Sequence, residues 1–144
     1  MSPYHATLNH IGIAVSASGG SSAALAKLFQ ILGITKGISE SVPEQGVNVH
    51  FYNLEGTPPH LELLEVSDPQ GTVAKFIEKK GPGIHHLSFL LESGTLDELC
   101  AKLKTEGYRL TYDAPKKGAQ QMRINFIHPA TAGGVLIELM EKAN

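Results

Sequence analysis

The chain has no tryptophan and a single cysteine, Cys100. One thiol cannot close an internal disulfide, and it cannot build a cysteine-based zinc module. Cys100 falls at an apolar position of a helical pattern, so a core residue in a reducing cytoplasm is expected. No apolar run reaches the ~18 residues that a membrane span needs. The opening MSPYHATLNH has neither a charged segment nor an apolar one, so no secretion signal is read there and a cytoplasmic protein is expected. Lys and Arg total 12 against 14 Asp and Glu, with no basic cluster, which argues against a nucleic-acid partner. Gly-x-Gly-x-x-Gly, Gly-x-x-x-x-Gly-Lys-Ser/Thr and Gly-x-Ser-x-Gly are all absent. Dinucleotide, P-loop and serine-hydrolase chemistry lose their usual signatures with them.

What is present is a repeat. His10 and Glu62 are 52 positions apart, and so are His86 and Glu138. The two histidines are 76 apart, as are the two glutamates. Each histidine opens an apolar run, LNHIGIAV at Leu8–Val15 and IHHLSFLL at Ile84–Leu91. Each glutamate interrupts one, HLELLEV at His60–Val66 and VLIELM at Val135–Met140. Such runs read as buried strands, where a lone carboxylate is costly. A shared divalent ion explains all four residues at once. Imidazole and carboxylate are ordinary ligands, and the ion's charge offsets the buried carboxylates. His85 is adjacent to His86 but faces the other side of a strand, so it receives no metal role. Glu65 is likewise on the face opposite Glu62 and is expected to be solvated. His5, His50 and His60 have no repeat partner, and His128 in a loop reads as structural.

The rest of the chain repeats with them. A Gly/Ser turn at Ser16–Ser22 offers N-cap serines to a helix with Leu25, Leu28, Phe29 and Leu32 on one stripe, stopped at Gly33. Strands are expected at Ile38–Val42 and Val47–Leu54, then at the Glu62 run. A connecting helix at residues 71–80 leads to the second half. There the stripe Leu96, Leu99, Cys100, Leu103 ends at Gly107, and strands are expected at Tyr108–Tyr112, Met122–Ile127 and the Glu138 run. The class is α+β: two βαβββ modules, residues 8–66 and 84–141, forming one domain over 8–141. Four strands make a poor independent core, so the copies are expected to share one.

With these elements placed, the sequence resembles the vicinal oxygen chelate (glyoxalase/bleomycin-resistance) superfamily, and most closely its methylmalonyl-CoA epimerase branch. The matching stretches are LNHIGIAV, VPEQGV at Val42–Val47, LELLE at Leu61–Glu65, VAKFIEKKGPGIHHLSF at Val73–Phe89 and INFIHPATAGGVLIEL at Ile124–Leu139. The resemblance implies a half-open eight-stranded barrel around one divalent metal ion (Co²⁺, Mn²⁺, Ni²⁺ or Zn²⁺) on His10, Glu62, His86 and Glu138. It implies an acyl-CoA substrate whose (R) and (S) epimers are interconverted. The chain departs from the family pattern at Ala130, at Gln120-Gln121, at Leu28-Phe29 and at Val49, where some members carry an acidic residue.

Epimerisation needs a proton taken from one face of a carbon acid and returned to the other. Glu138 and Glu44 are the candidate catalytic carboxylates. Rival readings are a glyoxalase I-type lactoylglutathione lyase, a ring-cleaving dioxygenase and a metal-free binding protein of the same superfamily. Two carboxylate ligands speak against the dioxygenase, which normally uses one. Exposed sheet surface makes a homodimer the expected assembly.

Overall fold

The computed structural model describes residues 2–143. Its contacts divide them into two compact units: His10–His85, and the residues up to Asn9 together with those from His86 on.

The first unit is built on β1 (Thr7–Val15), followed by α1 (Ser21–Ile31), β2 (Lys36–Val42), β3 (Val47–Tyr52), β4 (His60–Val66) and α2 (Thr72–Lys80). The strand order is β2-β3-β4-β1. β1 runs parallel to β4, and β3 is antiparallel to both β2 and β4. Strand alternation then decides what each face carries. Ile13, Val15, Leu61, Leu63 and Tyr52 share one face and pack against Leu25 and Phe29 of α1. His10, Gly12 and Glu62 lie on the other face, away from that helix.

The second unit repeats the order with β5 (Gly83–Leu90), α3 (Leu96–Thr105), β6 (Lys116–Lys117), β7 (Met122–Ile127) and β8 (Ile137–Lys142). Its strand order is β5-β8-β7-β6. Leu91, Ile127 and Leu139 pack with Leu96 and Cys100 of α3. Ile124, Phe126 and Met140 form a second cluster, on the face that carries Glu138. Cys100 is a buried core residue as expected, and burial pushes its thiol pKa up. No helix among the described residues is long and apolar enough to cross a membrane.

The α+β class and the βαβββ order are as read from the sequence, with local corrections. Tyr108–Tyr112 was expected to be a strand and contributes only the bridge Leu110 to Ile127. The buried Asn125 side chain is the reason. Its Oδ1 accepts from the Tyr112 backbone N–H at 3.1 Å, and its Nδ2 donates to the Tyr112 carbonyl at 3.1 Å. Its Oδ1 also accepts from the Phe126 N–H at 2.8 Å, the donor that would have completed the Thr111–Phe126 pair of a ladder, whose other bond, Thr111 N–H to the Phe126 carbonyl, is formed at 2.9 Å. The strand forms instead at Lys116–Lys117, in the stretch between the expected Tyr108–Tyr112 and Met122–Ile127 strands. The α1 N-cap is Gly20, in a left-handed conformation, rather than a serine. Ser21 Oγ accepts from the Ser16 backbone N–H at 2.8 Å, and Ser22 donates to Glu65. The two serines therefore tie the start of the helix to its surroundings. Of the four-residue α1 stripe only Phe29 is buried, while Leu28 and Leu32 are 46% and 62% exposed.

Candidate metal and proton-transfer site

In the parallel pair β1–β4, Gly12 lies directly opposite Glu62. A residue without a side chain at that position leaves room for the carboxylate beside His10, its diagonal neighbour. His10 Nδ1 and Glu62 Oε2 are 3.0 Å apart, and both residues are buried. Across β3 the partner of Glu62 is Phe51, which is also buried and closes the other side.

The second unit builds the same arrangement. In β5–β8, Ser88 lies opposite Glu138, and in β7–β8 the partner of Glu138 is Phe126. His86 Nε2 stands 3.6 Å from Glu138 Oε1, again with both residues buried. The His86 ring meets Phe126 edge-on, with centroids 6.0 Å apart. Each unit thus joins one predicted histidine to one predicted glutamate, on the sheet face away from its helix. His85 points elsewhere: its ring meets Phe76 of α2 edge-on at 4.9 Å. The face assignment that separated His85 from His86 holds.

Glu44 is exposed on a 3₁₀ turn, Pro43–Gln45. Its carboxylate has no hydrogen bond or ion pair among the described residues, whereas the backbone beneath it is pinned. Gly46 ends the turn at φ 67°, and a Cβ there would stand 3.1 Å from both Asp68 Cβ and Gly71 Cα. The Gly46 carbonyl accepts from Ser67 at 2.9 Å and Asp68 at 3.2 Å.

Two carboxylates matter more than the sequence suggested. Glu65, expected to be solvated, is half-buried. It accepts from Ser22 of α1, and its Oε1 lies 3.4 Å from His50 Nε2. The Ser22 bond, with help from His50, holds its carboxyl below the usual range against the opposing effect of burial. Glu141 is 2% exposed, and its Oε2 accepts from the backbone N–H groups of Gly94, Thr95 and Leu96 at 2.8, 3.0 and 3.1 Å. Its Oε1 accepts from Arg123, which also grips Asp97 through two bonds of 3.0 Å. Glu141 therefore caps α3 from a neighbouring strand, where the helix dipole favours an anion. Glu65 and Glu141 are also 76 apart, three positions after each site glutamate. That offset was a readable signal for both.

Glu141→Ala is expected to cost about 3–5 kcal/mol of stability, the scale for breaking a buried charged pair. It leaves three N–H groups uncapped, and Arg123 with only Asp97. Urea denaturation would measure this, and a loss under about 1 kcal/mol would show that water replaces the cap.

His60 and His128 have structural partners. His60 Nδ1 lies 2.7 Å from the Asn53 carbonyl oxygen, and His128 Nδ1 accepts from the Ala130 N–H at 3.0 Å.

Residues 9–126 match the Glyoxalase/Bleomycin resistance protein/Dioxygenase superfamily. The ethylmalonyl-CoA/methylmalonyl-CoA epimerase of Cereibacter sphaeroides is 37% identical over 92% of this chain and 95% of its own. The chain belongs to the methylmalonyl-CoA epimerase family of that superfamily. The crystal structure of the epimerase from Mycobacterium tuberculosis superposes with a TM-score of 0.83 at 36% identity, covering 95% of this chain and 88% of that one. An epimerase variant from Streptomyces coelicolor, solved with 2-nitronate-propionyl-CoA, gives a TM-score of 0.81 at 31% identity, covering 95% of this chain and 97% of that one. The fold of this family, the glyoxalase-like fold, is therefore the fold of the chain.

Proposed function

We propose that this enzyme interconverts the (R) and (S) epimers of methylmalonyl-CoA by moving the C2 proton, with one divalent metal ion held by His10, Glu62, His86 and Glu138. The observation that carries the reading is the repeated pair. In each unit a buried imidazole stands beside a buried carboxylate, opposite a glycine or a serine, in a chain of the epimerase family. The donor set fits the ion: two neutral imidazoles and two carboxylates total −2, which a dication neutralises. When bound, such an ion supplies electrostatic stabilisation of the negative charge that develops on the substrate's oxygens as C2 loses its proton.

The chain's own groups do the rest. Phe51 and Phe126 flank the two glutamates and exclude water from them, which strengthens every charge interaction at the site. Glu138 takes or returns the proton on one face of C2. Glu44, unpaired on its pinned turn, serves the other face. A homodimer and a cytoplasmic location complete the reading. The homodimer is supported by apolar side chains left exposed on the single chain, among them Ile31 at 72% and Ile84 at 67%.

Proton NMR of methylmalonyl-CoA in D₂O tests the proposal. The C2 proton is expected to exchange with solvent in the presence of enzyme, to stop exchanging after chelation, and to resume with Co²⁺ or Mn²⁺. Turnover of a glutathione hemithioacetal with no exchange at C2 would overturn it in favour of the lyase.

A further inference from the structure

The helix-bearing face of the first unit holds a feature that epimerisation does not use. Along α1, residues 23, 26, 27 and 30 form one stripe at helical spacing. Ala23 and Ala26 are too short to fill the space beneath it. The result is an open cavity of about 690 Å³ between α1, the segment from Gly33 to Lys36, and Tyr52 of β3. Such a volume accepts an organic molecule rather than a bare ion.

Its charged groups are of one sign, beside the neutral side chains of Gln30, Thr35 and Tyr52. Lys27 and Lys36 line the cavity and no carboxylate does. Neither lysine makes a salt bridge among the described residues, although Lys36 is near enough to the Glu65 carboxylate to help lower its pKa. Tyr52 is 97% buried, since only 3% of its surface is exposed. Its ring is held edge-on against Phe29 at 5.0 Å. Its hydroxyl has no hydrogen-bond partner among the described residues, yet no fully enclosed polar side-chain atom lacks one. The hydroxyl therefore reaches open space, at the cavity that Tyr52 lines. Burial raises its pKa, so it stays a donor at neutral pH.

We infer that this cavity is a second ligand site, for a phosphomonoester carried on an apolar organic body. Two ammonium groups match a dianion, and the Tyr52 hydroxyl adds a directed hydrogen bond. Ala23, Ala26 and Ile34 supply the apolar wall. Tyr52 is next to Phe51 on β3, and Phe51 shares its face with Glu62, so the cavity and the His10–Glu62 pair lie on opposite faces of one sheet. A free phosphomonoester fits that separation better than the substrate's own phosphoadenosine end.

Calorimetric titration of the full chain with 5′-AMP tests the inference, with adenosine and inorganic phosphate as controls. One equivalent of 5′-AMP should bind, and each control should bind at least ~10-fold more weakly, about 1.4 kcal/mol. The Lys27→Ala/Lys36→Ala double variant and Tyr52→Phe should each weaken 5′-AMP by roughly tenfold or more, the scale of a lost charge-assisted hydrogen bond. Tyr52→Phe keeps the ring against Phe29, and both lysines are exposed, so folding is spared. Adenosine 3′,5′-bisphosphate identifies the source. If it binds through the same residues, and the lysine variants raise KM for methylmalonyl-CoA, the ligand is the substrate's own tail; an unchanged KM identifies a separate molecule. Either result supports the site. No binding of either nucleotide, or binding unchanged in the variants, overturns it. The titration reads binding directly, so its outcome is independent of whether the chain epimerises anything.

Discussion

His86→Ala is expected to abolish stable metal binding and to slow C2 proton exchange by roughly 10³-fold or more, while His85→Ala leaves both near the wild-type level. The first figure follows from the several kcal/mol of charge stabilisation that a bound dication supplies, at a factor of ten for each ~1.4 kcal/mol. The imidazole of His86 is buried, 3.6 Å from the Glu138 carboxylate, and its removal leaves that buried carboxylate with a weaker set of partners. His85 is one position away along β5 and turned to the other side, against Phe76. Its loss removes the edge-on ring contact, worth about 0.5–1.5 kcal/mol of stability. Elemental analysis of the two purified variants, with the same NMR assay, separates them. Equal metal loss in both would contradict the strand-face assignment.

Glu44→Gln is expected to leave metal content unchanged and to slow inversion by ~10²–10⁴-fold, the usual effect of removing a general acid–base group. Glutamine keeps the size of the side chain and removes its proton chemistry. The turn should survive, because its geometry rests on Gly46 and on backbone bonds from Ser67 and Asp68. The informative measurement is stereochemical. One epimer should still exchange its C2 proton with D₂O through Glu138, while conversion to the other epimer lags far behind. Inversion at the wild-type rate would clear Glu44 and leave water, or one mobile carboxylate, as the second proton carrier.

Much of the site was legible because strand geometry is periodic. A period of two assigns His10 and Glu62 to one face and places His85 opposite His86, without knowledge of any contact. The repeat fixed the pairing of elements, since offsets of 76 recur as identical registers: Gly12 opposite Glu62, Ser88 opposite Glu138. Glu65 and Glu141 obey the same offset. Their roles were less visible because face alone does not reveal whether a carboxylate meets water or a helix start. Glu141 meets three N–H groups of a segment 45 to 47 positions earlier. Glu65 meets a serine 43 positions earlier. Both depend on where a helix begins in space.

Local period, spacing and residue type were enough for the α+β class, the two βαβββ repeats, the histidine and glutamate pairs and the family. The rest came from packing between segments distant in the chain. Asn125 takes the Phe126 N–H that a ladder to Thr111 needs and leaves the expected strand at a single bridge, a competition between a side chain and a ladder that no local pattern records. Leu28 and Leu32 share the helical stripe of Phe29 but stay exposed. They lie outside the cluster in which Leu25 and Phe29 pack on Val15, Tyr52 and Leu63. Periodicity states which residues could be buried together; the partners that the fold supplies decide which of them are.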